Sequence, residues 1–137
     1  MSAAANLSPA LTLPTGEPVC SAGVCVRGCS HGAPSPPQVE TAREWIRAHA
    51  RPRKTLNTTR SSYGLKHSVE ASSCGAGLVY LQRDHQGRMW PSPRLYISNG
   101  AFIAAAILEG YLAVRCRWNS PNVHFNMGLP RALRGAP

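Results

Sequence analysis

The chain is 137 residues long with a formal net charge of +9, and 13 of its 15 cations are arginines. That length predicts one compact domain, and no segment approaches the ~20 apolar residues that span a bilayer. The opening "MSAAANLSPALTLPTG" has neither the basic region nor the apolar run of a signal peptide, so the expected compartment is the cytoplasm, with no membrane partner.

Guanidinium forks pair well with phosphate or carboxylate, so the arginine excess suits a polyanionic partner. A coding bias towards Arg, Ala, Gly and Pro is the alternative source of the same composition. In a reducing compartment the cysteines are expected as thiols or metal ligands, not bridges.

Residues 1–37 hold six of the 12 prolines and few large apolar side chains. They predict a disordered tail, because they bury too little apolar surface to offset the entropy of ordering. Within it Cys20, Cys25, Cys29 and His31 fall as C-x4-C-x3-C-x-H. Three thiols and an imidazole can close a structural zinc site. The spacing matches no standard finger, so the reading favours incidental cysteines and no cofactor, with zinc as the alternative.

The domain is expected over 38–128. "QVETAREWIRAHA" places Val39, Ala42, Ile46 and His49 on one helical face and predicts a helix over 38–49, stopped by Pro52. "RPRKTLNTTR" predicts a loop or a short extended segment. "SSYGLKHSVEASSCG" opens on a serine cap and closes on Gly75, predicting a helix over 62–73. "LVYLQRDHQGRMW" predicts two short strands about "DHQG", ended by "PSP" at 91–93, with "RLYI" as a further short extended piece.

"SNGAFIAAAILEGY" has Ser98 as N-cap and Gly110 near the C-cap, with Phe102, Ile103, Ile107 and Leu108 spread over a wide arc and alanines filling the rest. A helix apolar all round is expected to be buried scaffold. "YLAVRCRW" alternates so that Leu112, Val114, Cys116 and Trp118 are expected inward, and Arg115 and Arg117 outward. "VHFNM" places Val123, Phe125 and Met127 inward. The two runs predict a β-hairpin with one buried face, and 129–137 a flexible tail.

The expected fold class is α+β: three helices followed by a C-terminal hairpin, the element order of a winged helix-turn-helix domain. The third helix is poor for reading bases, since Ser98, Asn99 and Gly100 open it and no cation follows on it.

Between Glu44 and Glu70 there is no acid, while Arg47, Arg51, Arg53, Lys54, Arg60 and Lys66 give a local +6. Ser62 and the start of its helix add hydroxyl and N–H donors, and Tyr63 adds a stacking ring. The expectation is a nucleic-acid-binding surface over 47–67, with DNA ahead of RNA, helped by Arg115 and Arg117 on the hairpin. The alternative is a solvated basic loop. No enzyme is expected: no phosphate-cradling glycine motif, paired metal-binding histidines or nucleophile elbow occurs, and a Cys74–His67 thiol–imidazole pair is set aside. His67 is expected as a surface residue with a satisfied ring, His49 as a helix-end residue and His124 on a strand's outer face.

"SSYGLKH" (61–67), "YISNGAFIAAAILEGY" (96–111) and "PNVHFNM" (121–127), preceded by "PRKTLN" (52–57), resemble a group of short proteins carried by proteobacterial phages, plasmids and related islands. The resemblance spans roughly residues 52–127 and implies a mobile-element accessory protein. In that group the second helix runs more directly to "YISNGAF", which makes "SSCGAGLVYLQRDHQGRMWPSPR" an insertion here. A non-enzymatic nucleic-acid-binding accessory or regulatory protein is the leading reading. A protein–protein module that inhibits or adapts a host complex, such as a defence system, is the runner-up.

Overall fold

A computed structural model of the protein describes residues 11–73, 80–83, 86–92 and 96–129. Its elements are β1 (Val19–Cys20), β2 (Gly23–Val24), α1 (Pro36–His49), β3 (Arg51–Asn57), α2 (Ser62–Ser73), β4 (Tyr80–Arg83), β5 (Met89–Ser92), α3 (Asn99–Leu108), β6 (Ala113–Arg115) and β7 (Val123–Gly128). The mixed α+β class expected from the sequence is present.

The core is built on α3. From Ala101 to Ala106 every residue is fully buried, and α1 packs along this helix through Val39, Ala42, Trp45 and Ile46. Alanines at 101, 104, 105 and 106 let the neighbouring elements come close. Phe102 sits between Trp45 and Phe125, with ring centroids 6.2 and 5.7 Å away in edge-to-face arrangements. Ser98 caps the helix, its hydroxyl accepting the N–H of Ala101 at 3.1 Å. The far end emerges: Leu108 is exposed and Ile107 only half-buried, so two of the four large side chains expected inside reach the surface.

β7 alternates as expected, with Val123, Phe125 and Met127 buried. It is the centre of a three-stranded antiparallel sheet in the order β3-β7-β6. β3 takes the extended alternative of the two expected for this segment. It pairs Arg51 with Gly128 and Pro52 with Met127, then bulges before Asn57 meets Phe125.

In β6 the predicted phase is reversed. Ala113 faces the core opposite Phe125, Val114 pairs with His124 on the outer face, and Leu112 and Trp118 are exposed. The core beside Phe102 and Phe125 is already full, so the small alanine turns inward and the larger side chains turn out. Cys116, expected in the core, is half-buried, with its sulfur 3.6 Å from His124 Nε2.

β4 and β5 form a separate two-stranded hairpin, as expected for 78–90. It runs on through Pro91, which pairs with Leu81; a proline is tolerated where no further strand needs its missing N–H. Of the expected "RLYI" extension, Arg94 and Leu95 lie outside the described residues, and Tyr96 and Ile97 join no strand.

Residues 11–35 are not the tail expected from composition. Leu13, Val19 and Val24 are buried in the same core as α3, β1 pairs with β2, and Ser21 O accepts the N–H of Gly100 at 3.1 Å. Gly23, at φ +132°, packs against the carbonyl of Pro121. Helix α1 begins at Pro36, two residues before its predicted start, with prolines in the first turn where their missing N–H costs nothing. Residues 1–10 and 130–137 lie outside the described residues, whereas Leu129, assigned to the C-terminal tail, is buried. Among the described residues no helix is long and apolar enough to cross a membrane.

Candidate nucleic-acid interface and thiol cluster

The basic residues singled out in the sequence divide into two groups. Arg51, Arg53 and Lys54 on β3, and Arg117 at the tip of the β6–β7 hairpin, are exposed and make no ion pair among the described residues. Arg51 and Arg53 lie on the outer face of the sheet. Their aliphatic stems cover Gly128, where an added Cβ would meet Arg53 Cγ and Cδ at 3.3 Å and Arg51 Cγ at 3.6 Å. These two arginines, with Pro52, Asn57, Gly128 and Leu129, line an open groove of about 480 Å³. Asn57 is held there by donating to Met127 O at 3.0 Å and accepting from Thr59 N.

The second group is bound into the fold. Arg47 donates to Glu109 at 2.8 Å and also meets Glu40. Arg43 joins it with a 2.7 Å bond to the same Glu109 oxygen. The hydrogen bond from Arg43 and the charges of both arginines hold the Glu109 carboxyl below its ordinary range. Arg60 donates to Gly64 O at 3.0 Å and to the Ser68 hydroxyl, bracing the first turns of α2. Ser62 is fully buried, and its hydroxyl accepts the N–H of Val123 at 3.1 Å, so it offers nothing to a phosphate. Arg115 donates to Ser120 O and Cys25 O at 2.8 and 2.7 Å, tying the hairpin to the N-terminal segment.

Lys66 is also buried. Its ammonium pairs with Glu70 at 3.2 Å and lies 5.3 Å from the Tyr63 ring and 4.7 Å from that of Tyr96. Glu70 additionally meets His67 at 3.0 Å and accepts the Ile97 N–H at 2.9 Å, so His67 is a partly exposed ring with a partner, as expected. Tyr63 is half-exposed, stacked edge-on against His67, and with Tyr96, Lys66 and Asn99 it lines a hollow of about 350 Å³.

Trp118 is the surface residue that the sequence pattern missed. It is 79% exposed beside Arg117, and Asn119 follows at φ +58°, a left-handed conformation asparagine tolerates. The "NSPN" turn signal was the available clue, since a turn tip presents its flanking side chains outward. Asn119 Oδ1 also accepts the N–H of Arg27 at 2.7 Å, which brings another exposed arginine to this tip.

The structure also gathers the thiols and imidazole of the N-terminal segment. Cys20 and Cys29 sulfurs are 3.5 Å apart, Cys29 Sγ is 3.5 Å from His31 Nδ1, and the three donor atoms lie within 4.8 Å of one another. Burial, then hydrogen bonding with Cys20 and Cys29, pushes the Cys25 thiol up to about 12. Hydrogen bonds from the backbone and ring of His31 bring Cys29 down to about 7. Cys74 lies outside the described residues.

Comparison with protein-family models, curated proteins and solved structures finds no match for the chain.

Proposed function

We propose that the protein is a non-enzymatic nucleic-acid-binding accessory that grips the phosphate backbone with its sheet and hairpin tip. The carrying observation is Arg51 and Arg53 side by side on the outer face of β3, beside Lys54, without acidic partners among the described residues. Salt-linked counterion release from phosphates is the largest sequence-independent source of nucleic-acid affinity. Trp118 next to Arg117 adds a ring for base stacking.

A winged helix-turn-helix relationship fits the order α1, β3, α2, α3, β6, β7, with the β4–β5 hairpin inserted between α2 and α3, and the joining of β3 to the C-terminal hairpin in one sheet. Helix α3 then differs from a base-reading helix, because its first eight residues, Asn99 to Ala106, are buried. Binding directed at the backbone, with weak sequence preference, follows from that burial. The resemblance to mobile-element proteins supports the accessory role.

The test is a salt series of fluorescence anisotropy on duplex DNA, single-stranded DNA and RNA. Four exposed cations meeting phosphates give a log–log slope of about −3.6 on duplex DNA. The triple variant Arg51→Gln, Arg53→Gln, Lys54→Gln lowers that slope by about 2.7. Absence of binding to every nucleic acid at low salt overturns the reading. A native complex that survives nuclease and high salt places a protein on this face instead.

A further inference from the structure

We propose that Cys20, Cys25, Cys29 and His31 form a closed structural zinc site that clamps the N-terminal segment onto the start of α3. This inference is independent of nucleic-acid binding.

The argument begins with lengths. With Zn–S near ~2.3 Å and Zn–N near ~2.05 Å, a tetrahedral site has S···S edges of about 3.8 Å and S···N edges of about 3.6 Å. The Cys20–Cys29 and Cys29–His31 separations, each 3.5 Å, are within a few tenths of those edges. The three donors stand together without any disulfide; Cys20, Cys25 and Cys29 are all free thiols. Cys25, a free thiol in the loop after β2, stands outside this tight three-donor group and turns in as the fourth donor when the ion binds. The donor set, three thiolates and one imidazole, is one of the standard structural zinc sets.

The surrounding backbone has the features of a metal-binding turn. The N–H of His31 points at Cys29 Sγ at 3.5 Å, as backbone amides do around metal-bound thiolates. Ser21 N donates to Gly32 O at 2.8 Å, and Cys29 N to Val26 O at 3.0 Å, closing the loop about the cluster.

The fold also needs such a clamp. β1 and β2 are two residues each, far below what a hairpin needs to stand alone. Yet this segment supplies Ser21 O to the Gly100 N–H and Cys25 O to Arg115. A metal that binds only the folded arrangement converts its binding free energy into order here.

The experiment uses the full chain, purified under reducing conditions without chelator. Native mass spectrometry is expected to show a single zinc ion. Cobalt titrated into the metal-stripped chain is expected to give visible d–d bands of tetrahedral geometry and a sulfur-to-metal charge-transfer band of three-thiolate intensity. Cys29→Ser and His31→Ala are expected to lose the metal to a chelator far faster, and Cys116→Ser to retain it. Zinc removal is expected to speed amide exchange at Gly100. The proposal is overturned if the folded wild-type chain takes up neither zinc nor cobalt, or if Cys20→Ser/Cys29→Ser keeps full metal content. A Cys20–Cys29 disulfide in protein trapped by alkylation before any reductant overturns it equally. Because the cobalt titration uses the wild-type chain, misfolding of a variant does not decide the matter.

Discussion

The backbone of Gly100 lies so close to the carbonyl of Cys20 that a Cβ placed at Gly100 would stand 1.7 Å from that oxygen. No rotamer relieves such an overlap, because both partners are main chain. Gly100→Ala is therefore expected to push β1 off the start of α3 and break the 3.1 Å bond from Gly100 N to Ser21 O. The cost is about 3 kcal/mol in urea unfolding, at the upper end for overpacking. A change below about 0.5 kcal/mol would mean that the N-terminal segment is not docked there.

That docking shows why the N-terminal part of the fold was illegible in the sequence. Leu13, Val19 and Val24 enter the core one by one from turns and two-residue strands, so they leave no period of 2 or 3.6 to read. Strand β3 was legible only as a loop or a short extended segment for a related reason. Its residues Arg51 to Thr55 are all exposed and Pro52 sits among them, so nothing in "RPRKTLN" alternates; only its partner β7 makes it a strand. Helix α3 was legible because its composition and its environment agree.

The reversed phase of β6 has a different cause. "YLAVRCRW" carries apolar residues at both even and odd positions, and a period of 2 does not say which set faces in. Volume decides: Ala113 fits against α3 and Phe125, and Leu112 does not. Within the basic stretch, sequence placed the exposed trio on β3 and the bound Arg60 and Lys66 in one class. Charge is visible in the sequence, whereas the partners Ser68 and Glu70 that absorb it are known only from the turn of α2.

Ser62 and Arg53 separate scaffold from surface. Ser62→Ala removes the acceptor of the Val123 N–H inside the core and is expected to cost about 1–2 kcal/mol of stability. Nucleic-acid affinity of the fraction that remains folded should not change. Arg53→Gln is expected to do the opposite, leaving the denaturation midpoint in place and weakening binding. Parallel denaturation and anisotropy curves measure both, and a binding defect in well-folded Ser62→Ala would return that hydroxyl to the interface.

Trp118 gives the sharpest test of the hairpin tip. At 79% exposure its removal creates no cavity, so Trp118→Ala is expected to leave thermal stability unchanged. If bases stack on it, the same variant loses about 1–3 kcal/mol of single-stranded nucleic-acid affinity. Quenching of tryptophan fluorescence on binding, lost in the variant, reads the contact directly. Equal affinity of wild type and variant for every single-stranded probe would remove the ring from the interface.

Glu109 makes a pH prediction whose sign follows from its partners. Hydrogen bonding from Arg43, with the charges of Arg47 and Arg43, holds the folded-state carboxyl below its ordinary value of 4.5. The unfolded chain thus binds this proton more readily than the folded one. The pair's stabilisation is complete above the unfolded value and is lost as pH falls through the folded one. Glu109→Gln is expected to lower stability by about 1 kcal/mol at neutral pH, since the carboxylate is largely enclosed but both arginines reach water. Wild type and variant should converge as the solution is acidified below that ordinary value, because protonated Glu109 and glutamine are both neutral. Denaturant midpoints across the acid range measure it, and a gap that persists unchanged into strong acid would show that the loss comes from packing, not from charge.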